Sequence, residues 1–335
     1  MDSLTQALLG AATFSVVKNR SIGKVSILIG ALAGTLPDLD VILSPLFNEV
    51  AFLTVHRSFS HSISFAVLVS ALLAGIFHNA YKKQYKLFNW YAAFFLAIFT
   101  HDMLDCFTTY GTKLLAPFNP YLFSTNNIHT FEPIYTSILL IGAIGFLIAK
   151  SKSTKAQRII RNTLFISCIY LSCTFASKAV AVNKFTTQLK QLNIKYQELM
   201  VSPTPLNSLL WNAIAKTDEG YYFGAYSLLD GSKEIPFYFE NSNNEILSRL
   251  KQNKKVSHYL SYTQNFPLIK LSESGFVQIY AVKFGPHNYF GKPEFVYPLE
   301  LNLNKFTDEN IAINYEGERG PIKNYRSLFK RVLSR

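Results

Sequence analysis

The sequence predicts a mostly α, polytopic membrane domain of about five to six membrane helices over residues 1–181. A small soluble α+β domain is expected over 182–335. Three observations predict this division. Long apolar runs alternate with short basic loops through the first 181 residues. Residues 182–335 carry 19 Lys+Arg and 14 Asp+Glu and mix polar with apolar residues, as soluble domains do. Aromatic stretches with alternating character, which read as strands, are confined to that second part. The length of 335 residues suits two domains, and charged residues make up only 16%, below the ~25% of ordinary soluble domains.

Residues 3–17 read as a short apolar helix. They fall below the roughly 17 residues that a span needs, so a re-entrant or tilted segment is expected. Lys18, Arg20 and Lys24 follow. Residues 25–43 are apolar and Gly-rich and end in L-P-D-L-D (36–40), where Pro37 should disrupt or end the helix. Residues 62–80 and 88–108 read as spans separated by Lys82, Lys83 and Lys86. Residues 133–149 form a fifth apolar run. Lys150, Lys152, Lys155, Arg158 and Arg161 come next, and 159–181 is a sixth run. The basic loops are every second loop. Counting Lys and Arg in short loops therefore places them all in the cytoplasm. The N-terminus, the loops 44–61 and 109–132 and the whole of 182–335 then lie outside.

The second domain opens with a predicted helix over 184–200, a break at P-T-P (203–205) and a short helix around Leu206–Lys216. Strands are expected at 221–229, 235–240, 277–285 and 295–301, forming an antiparallel sheet. The net charge of +12 is spread over inter-helix loops rather than a basic groove with interleaved aromatics, so no nucleic-acid partner is expected. Cys106, Cys168 and Cys173 show no pairing pattern, no C-x-x-C zinc spacing occurs, and no cleaved signal peptide is read at the N-terminus. Nothing in the sequence speaks to an oligomeric state.

Chemistry is concentrated in few residues. The first 181 residues hold only seven acids: Asp2, Asp38, Asp40, Glu49, Asp102, Asp105 and Glu132. Polar ionisable groups in apolar membrane segments are costly and usually functional. With the loop charges as above, His56, His61, His101, His129 and most of these acids fall at one face of the membrane. In H-D-M-L-D (101–105), His101 and Asp105 stand at i, i+4 on one helix face, which suits a shared metal. The bland alternative is a hydrogen-bonded pair at a helix end. Asp102 points elsewhere. Asp38 and Asp40 would repel unless a cation or proton neutralises one of them. Solvated acids at a helix end are the competing reading. In H-R-S-F-S-H-S (56–62), neutral imidazoles are common metal ligands. Arg57 is a candidate to hold a phosphate or carboxylate through its planar fork, or else a lipid headgroup or a nearby Asp. Ser60 reads as a helix cap. His129 and Glu132 are weaker, His78 reads as interfacial, and His258 and His287 have no recognisable spacing. Nitrogen and oxygen ligands without Cys suit a divalent ion, Zn before Mn or Fe.

These motifs, in order, carry a resemblance. M-D-S-L-T-Q-A-L-L-G-A-A, G-A-L-A-G-T-L-P-D-L-D, H-R-S-F-S-H-S, T-H-D-M-L-D-C-F-T-T-Y-G-T, L-L-A-P-F-N and E-P-I-Y-T resemble the YdjM-like membrane-bound metal-dependent hydrolases. The match is firm over residues 1–150 and looser beyond, through P-T-P-L-N-S-L-L-W and V-K-F-G. The resemblance implies distant similarity to zinc-dependent phospholipase C and P1-type nucleases. It implies ligand roles for Asp38, His56, His61, His101 and Asp105, and allows one for Asp40. The family commonly has Asp where this chain has Glu132. The function expected is hydrolysis of a phosphoester or lipid-linked substrate at the outer face of the cell (inner) membrane. Arg57 would hold the substrate's anionic group, Asp40 would act as base, and membrane lipids would be the surroundings. A metal-free phosphatase would need an upstream Arg at fixed spacing and a P-S-G-H motif, both lacking. A transporter or assembly protein would place polar groups through the bilayer depth, and a structural metal site is the remaining alternative.

Overall fold

A computed structural model describes residues 1–47, 49–231, 233–271, 276–286, 293–295, 298–302, 311–313 and 325–333. The chain forms two compact units. The first contains Met1–Leu43 and His56–Thr174, and the second Ser44–Val55 and Phe175–Arg335. The boundary expected after residue 181 thus falls inside one helix, and the short stretch 44–55 belongs with the second unit.

In the first unit, α1 (Ser3–Ile22) starts where Asp2 Oδ1 accepts the Thr5 N–H at 2.9 Å, satisfying a donor that the helix leaves open. It runs on past the expected residue 17. Gly23, at φ 64°, ends it by returning its N–H to Asn19 O. Helix α2 (Val25–Thr35) lies against α1 at very close range, because Gly10, Gly30 and Gly34 meet backbone to backbone. Pro37 turns the chain as expected, and a 3-10 helix (Pro37–Leu46) continues at 43° to α2. A short 3-10 turn (Phe59–His61) leads into α4 (Ile63–Ala80), where Ser62, not Ser60, caps the helix by accepting the Phe65 N–H. Helix α5 (Leu87–Cys106) packs on α1, α2 and α4. Helix α6 (Pro133–Ile148) begins with proline at its first turn, where the missing N–H costs nothing. Helix α7 (Thr154–Gln191) is 38 residues long.

Among the described residues, α4 and α7 are long and apolar enough to cross a membrane, and the bent pair of α2 and its 3-10 continuation makes three. Leu28, Leu32, Leu68, Leu72, Ile141 and Phe165 point outward and exposed, as side chains do whose solvent is lipid. Of the five to six spans expected, two or three meet the test of length and apolarity among the described residues. Helices α1 and α5 each have 20 residues but bury polar groups. Lys18 is fully buried, with its ammonium 3.4 Å from the Trp90 ring centre and 4.9 Å from that of Tyr85. A cation there is held by aromatic faces.

In the second unit, β1 (Glu198–Pro203), β2 (Leu210–Lys216), β3 (Gly220–Ser227) and β4 (Phe237–Asn241) form one antiparallel meander. A second meander joins β5 (Pro267–Leu271), β6 (Phe276–Ala281), β7 (Leu299–Asn302) and β8 (Ile311–Ile313). So the single sheet expected is two. The helix expected at 206–216 is instead β2, a strand covered on both sides. Trp211 and Ala213 pack with Phe185 of α7, and Ile214 packs with Phe223, Phe266 and Leu268. A doubly covered strand loses its alternation and reads like a helix. The predicted helix 184–200 is likewise divided between the end of α7 and β1. Helices α8 (Leu247–Leu250) and α9 (Lys254–Tyr262) complete this region. Helix α3 (Glu49–Val55) also lies here: Val50 and Leu53 join Leu250, Val256, Tyr259, Ile269 and Leu301 in one core. Helix α10 (Tyr325–Val332) docks through Leu328 and Val332 on Leu210. Arg331 clamps it there by two 2.8 Å bonds to Asp230.

Candidate metal centre

Four groups converge in the first unit. One ligand atom from each of Asp38, His61, His101 and Asp105 lies within 4.8 Å of the others. His101 and Asp105 come from one face of α5, as their spacing requires, with His101 Nε2 3.7 Å from Asp105 Oδ2. Asp38 is delivered by the 3-10 helix that Pro37 starts. His61 comes from the turn before α4. His61 Nε2 lies 3.2 Å from Asp38 Oδ1 and 3.7 Å from Asp105 Oδ2, and His101 Nε2 lies 3.6 Å from Asp38 Oδ1. A tetrahedral ion with ligand bonds of about 2.0–2.1 Å would separate neighbouring ligand atoms by roughly 3.3 Å. The four nitrogen–oxygen distances fit that spacing.

Hydrogen bonding orients both imidazoles. A backbone carbonyl only accepts, so the 2.6 Å contact from His101 Nδ1 to Gly34 O must be an N–H donated to Gly34. Nε2 is then left with its lone pair. It is buried and has no hydrogen-bond partner among the described residues, and Asp105 Oδ2 is likewise buried with the Arg57 guanidinium beside it as an ion pair. His61 is fully buried, and burial pushes its pKa down to about 4 while Asp38 works against that shift. The ring is therefore neutral at pH 7, the form that binds metals. Asp38 alone of the four carries appreciable exposure, 22% of its side chain.

The other residues singled out in the sequence surround this core. His56 is not among the four. Its Nδ1 lies 2.8 Å from Asp40 Oδ1. Asp40 Oδ2 accepts from Ser60 Oγ at 2.7 Å and from the Arg57 N–H at 3.3 Å. Arg57 is buried at φ 60°, with Nε 3.2 Å from Asp105 Oδ2, Nη1 donating to Thr108 Oγ1, and its guanidinium 4.6 Å from the centre of the Tyr110 ring. The other oxygen of Asp105 accepts from Gln6 Nε2 at 2.9 Å and from the Met1 amine. Glu132 accepts from Tyr170 and His129 from the Phe131 N–H, outside the cluster. His258 lies in α9, and His287 lies outside the described residues. Asp102, which the spacing turns away from the site, is fully buried, and neither carboxylate oxygen has a hydrogen-bond partner among the described residues. Gln6, Gly34, Thr108 and Tyr110 carried no sequence signal. Their roles arise from packing of α1, α2 and the loop after α5 on the cluster.

The four-group cluster and the residues that surround it fall within 1–181, the stretch matched by the model of the YdjM inner membrane protein family. The chain belongs to that family. A further relative of this YdjM-family chain is the uncharacterised protein YfhP of Bacillus subtilis (strain 168). It is 25% identical over 321 residues, covering 93% of this chain and 91% of that one. No solved structure matches the chain. Family and apolar helices together make the chain a membrane protein, with a cluster that could hold a metal ion.

Proposed function

We propose that this YdjM-family protein is a membrane-bound metal-dependent hydrolase of a phosphoester or lipid-linked substrate. The observation that carries this reading is the convergence of two imidazole Nε2 atoms and two carboxylate oxygens, with nitrogen–oxygen distances of 3.2–3.7 Å and the outer nitrogen of His101 fixed by Gly34. The donor set of nitrogen and oxygen without thiolate favours zinc, with manganese or iron next. When bound, such an ion lowers the pKa of a water and polarises a phosphoryl oxygen. Asp38, the exposed member, marks the side from which water and substrate enter. Arg57 keeps Asp105 oriented and supplies positive charge beside the cluster, which favours an anionic substrate group. Five to six spans, read from the apolar runs, and an extracytoplasmic second domain, read from the loop charges, belong to the same proposal.

A second reading has one observation in its favour. Four protein groups are enough to close a tetrahedral site, as in structural zinc centres. Purified protein loaded with zinc should be assayed on p-nitrophenyl phosphate esters and on phospholipids in mixed micelles, alongside Asp38→Ala and His101→Ala. Turnover lost in both variants supports hydrolysis. Stoichiometric zinc without turnover on any of these substrates favours the structural site.

A further inference from the structure

The sequence offers Asp40 as a base, His56 as a ligand and Ser60 as a helix cap, and the geometry gives all three a different task. We propose that Ser60 and Asp40 are positioning residues that fix the tautomer of His61, so that its Nε2 lone pair faces the ion. This rests on the metal-centre reading above.

The argument is a count of protons. A serine hydroxyl has one proton, and a carboxylate only accepts. Ser60 Oγ lies 2.7 Å from Asp40 Oδ2, so its proton is committed there. The contact between Ser60 Oγ and His61 Nδ1, at 2.9 Å, then requires the imidazole to be the donor. Asp38 Oδ1, 3.2 Å from Nε2, is the rival acceptor for the single proton of the neutral ring; the Ser60 contact is the shorter at 2.9 Å and takes the proton on Nδ1, which leaves Nε2 bare toward Asp38 and Asp105. In the opposite tautomer Ser60 would have to turn its proton to Nδ1, and Asp40 Oδ2 would lose its shortest bond. Asp40 is held in place from two further sides, by the His56 ring at Oδ1 and by the Arg57 N–H at Oδ2. The His56 ring also stands edge-on to His61, with ring centres 5.5 Å apart. His101 has the equivalent support from the carbonyl of Gly34. Only for His61 does that support run through side chains, so only there can it be removed by substituting the supporting residue itself.

The link also joins the two ligand-bearing segments. Asp40 shares its 3-10 helix with Asp38, Ser60 precedes His61, and the residues between them, 44–55, belong to the second unit. Outer partners of metal-bound histidines typically change affinity by 10–100-fold when removed.

The test uses the full chain in detergent micelles, with zinc affinity measured by competition against a chromophoric chelator. Ser60→Ala is expected to weaken zinc by about 10–100-fold, and Ser60→Thr, which keeps the hydroxyl, to stay close to the unmutated protein. Because the two residues act as one chain, adding Ser60→Ala to Asp40→Ala should cost little more than Asp40→Ala alone. A Ser60→Ala protein that binds zinc as tightly as the unmutated one overturns the inference. So does a Ser60→Thr protein as weak as Ser60→Ala. Nitrogen-15 spectra of labelled histidine in the metal-free protein give an independent reading. A His61 proton on Nδ1 is expected in the unmutated and Thr proteins and on Nε2 in the Ala protein. A proton on Nε2 in the unmutated protein also overturns the inference, whether or not zinc binds. Absence of zinc binding by unmutated protein with the expected tautomer would instead remove the metal-centre reading and leave only the tautomer assignment standing.

Discussion

Gly10→Ala tests how the helix packing builds the metal centre from a distance. A Cβ at residue 10 would lie 2.6 Å from Gly30 O and from Gly34 Cα, both backbone atoms that cannot rotate aside. Ordinary contact starts at 3.4 Å, so α1 and α2 must part by about 0.8 Å, an overpacking strain of roughly 1–3 kcal/mol. The same shift acts on the carbonyl that holds His101. A shift of that size is enough to carry the 2.6 Å bond out of the normal range for such bonds and loosen the ring. The expected result is a lower unfolding temperature in detergent and zinc affinity down by about 10–100-fold. Gly75→Ala is the control. It lies mid-helix in α4 with nothing within 4 Å of its added Cβ, and Ala there should be neutral or stabilising by about 0.5–1 kcal/mol. If Gly10→Ala matches Gly75→Ala in both stability and zinc affinity, the reasoning fails.

Other outcomes follow from the same structure. His61 has its pKa lowered from 6.5 to about 4 by burial. The unfolded chain therefore binds the extra proton first, and the metal-free protein should lose stability as pH falls from 6.5 to about 4 and level off below; chemical denaturation at several pH values should show the slope, and His61→Gln should remove that part of it. Arg331→Ala breaks the clamp on Asp230 and leaves a mostly buried carboxylate short of two charged bonds; a loss of about 1–3 kcal/mol should appear as faster proteolysis at α10. Leu301→Ala removes a fully buried side chain from the core that also contains Val50, and should destabilise the second unit by about 2–5 kcal/mol, seen as lost hydrogen-exchange protection in β6 and β7.

The sequence made the four-group cluster partly legible because local geometry carries it. The i, i+4 spacing puts His101 beside Asp105 on α5, and Pro37 bends the chain to present Asp38. Membrane solvation made the scarce acids stand out. What could not be read is what depends on packing between segments. His56 has the same side chain as His61 and lies in the same motif, yet it turns to Asp40. The support from Gly34 comes through a carbonyl, which every residue has. Helical phase sets Asp102 aside, and only the fold shows it buried with no hydrogen-bond partner among the described residues. Lys18 ends the first apolar run early in the sequence, because a buried lysine resting on Trp90 looks like a loop residue until the aromatic partner is in view. In the second unit, β2 reads as a helix in the sequence because both its faces are covered, and α3 reads as a simple outer loop because nothing in 44–55 names the core it joins.

The most direct test of the account is the metal content of purified, full-length protein by elemental analysis after exposure to zinc and removal of free ion. The account predicts one tightly held divalent ion per chain, lost in Asp38→Ala, His61→Ala, His101→Ala and Asp105→Ala and retained in His129→Ala. Unmutated protein without bound metal, or binding that survives loss of His101 and Asp105 together, would contradict it.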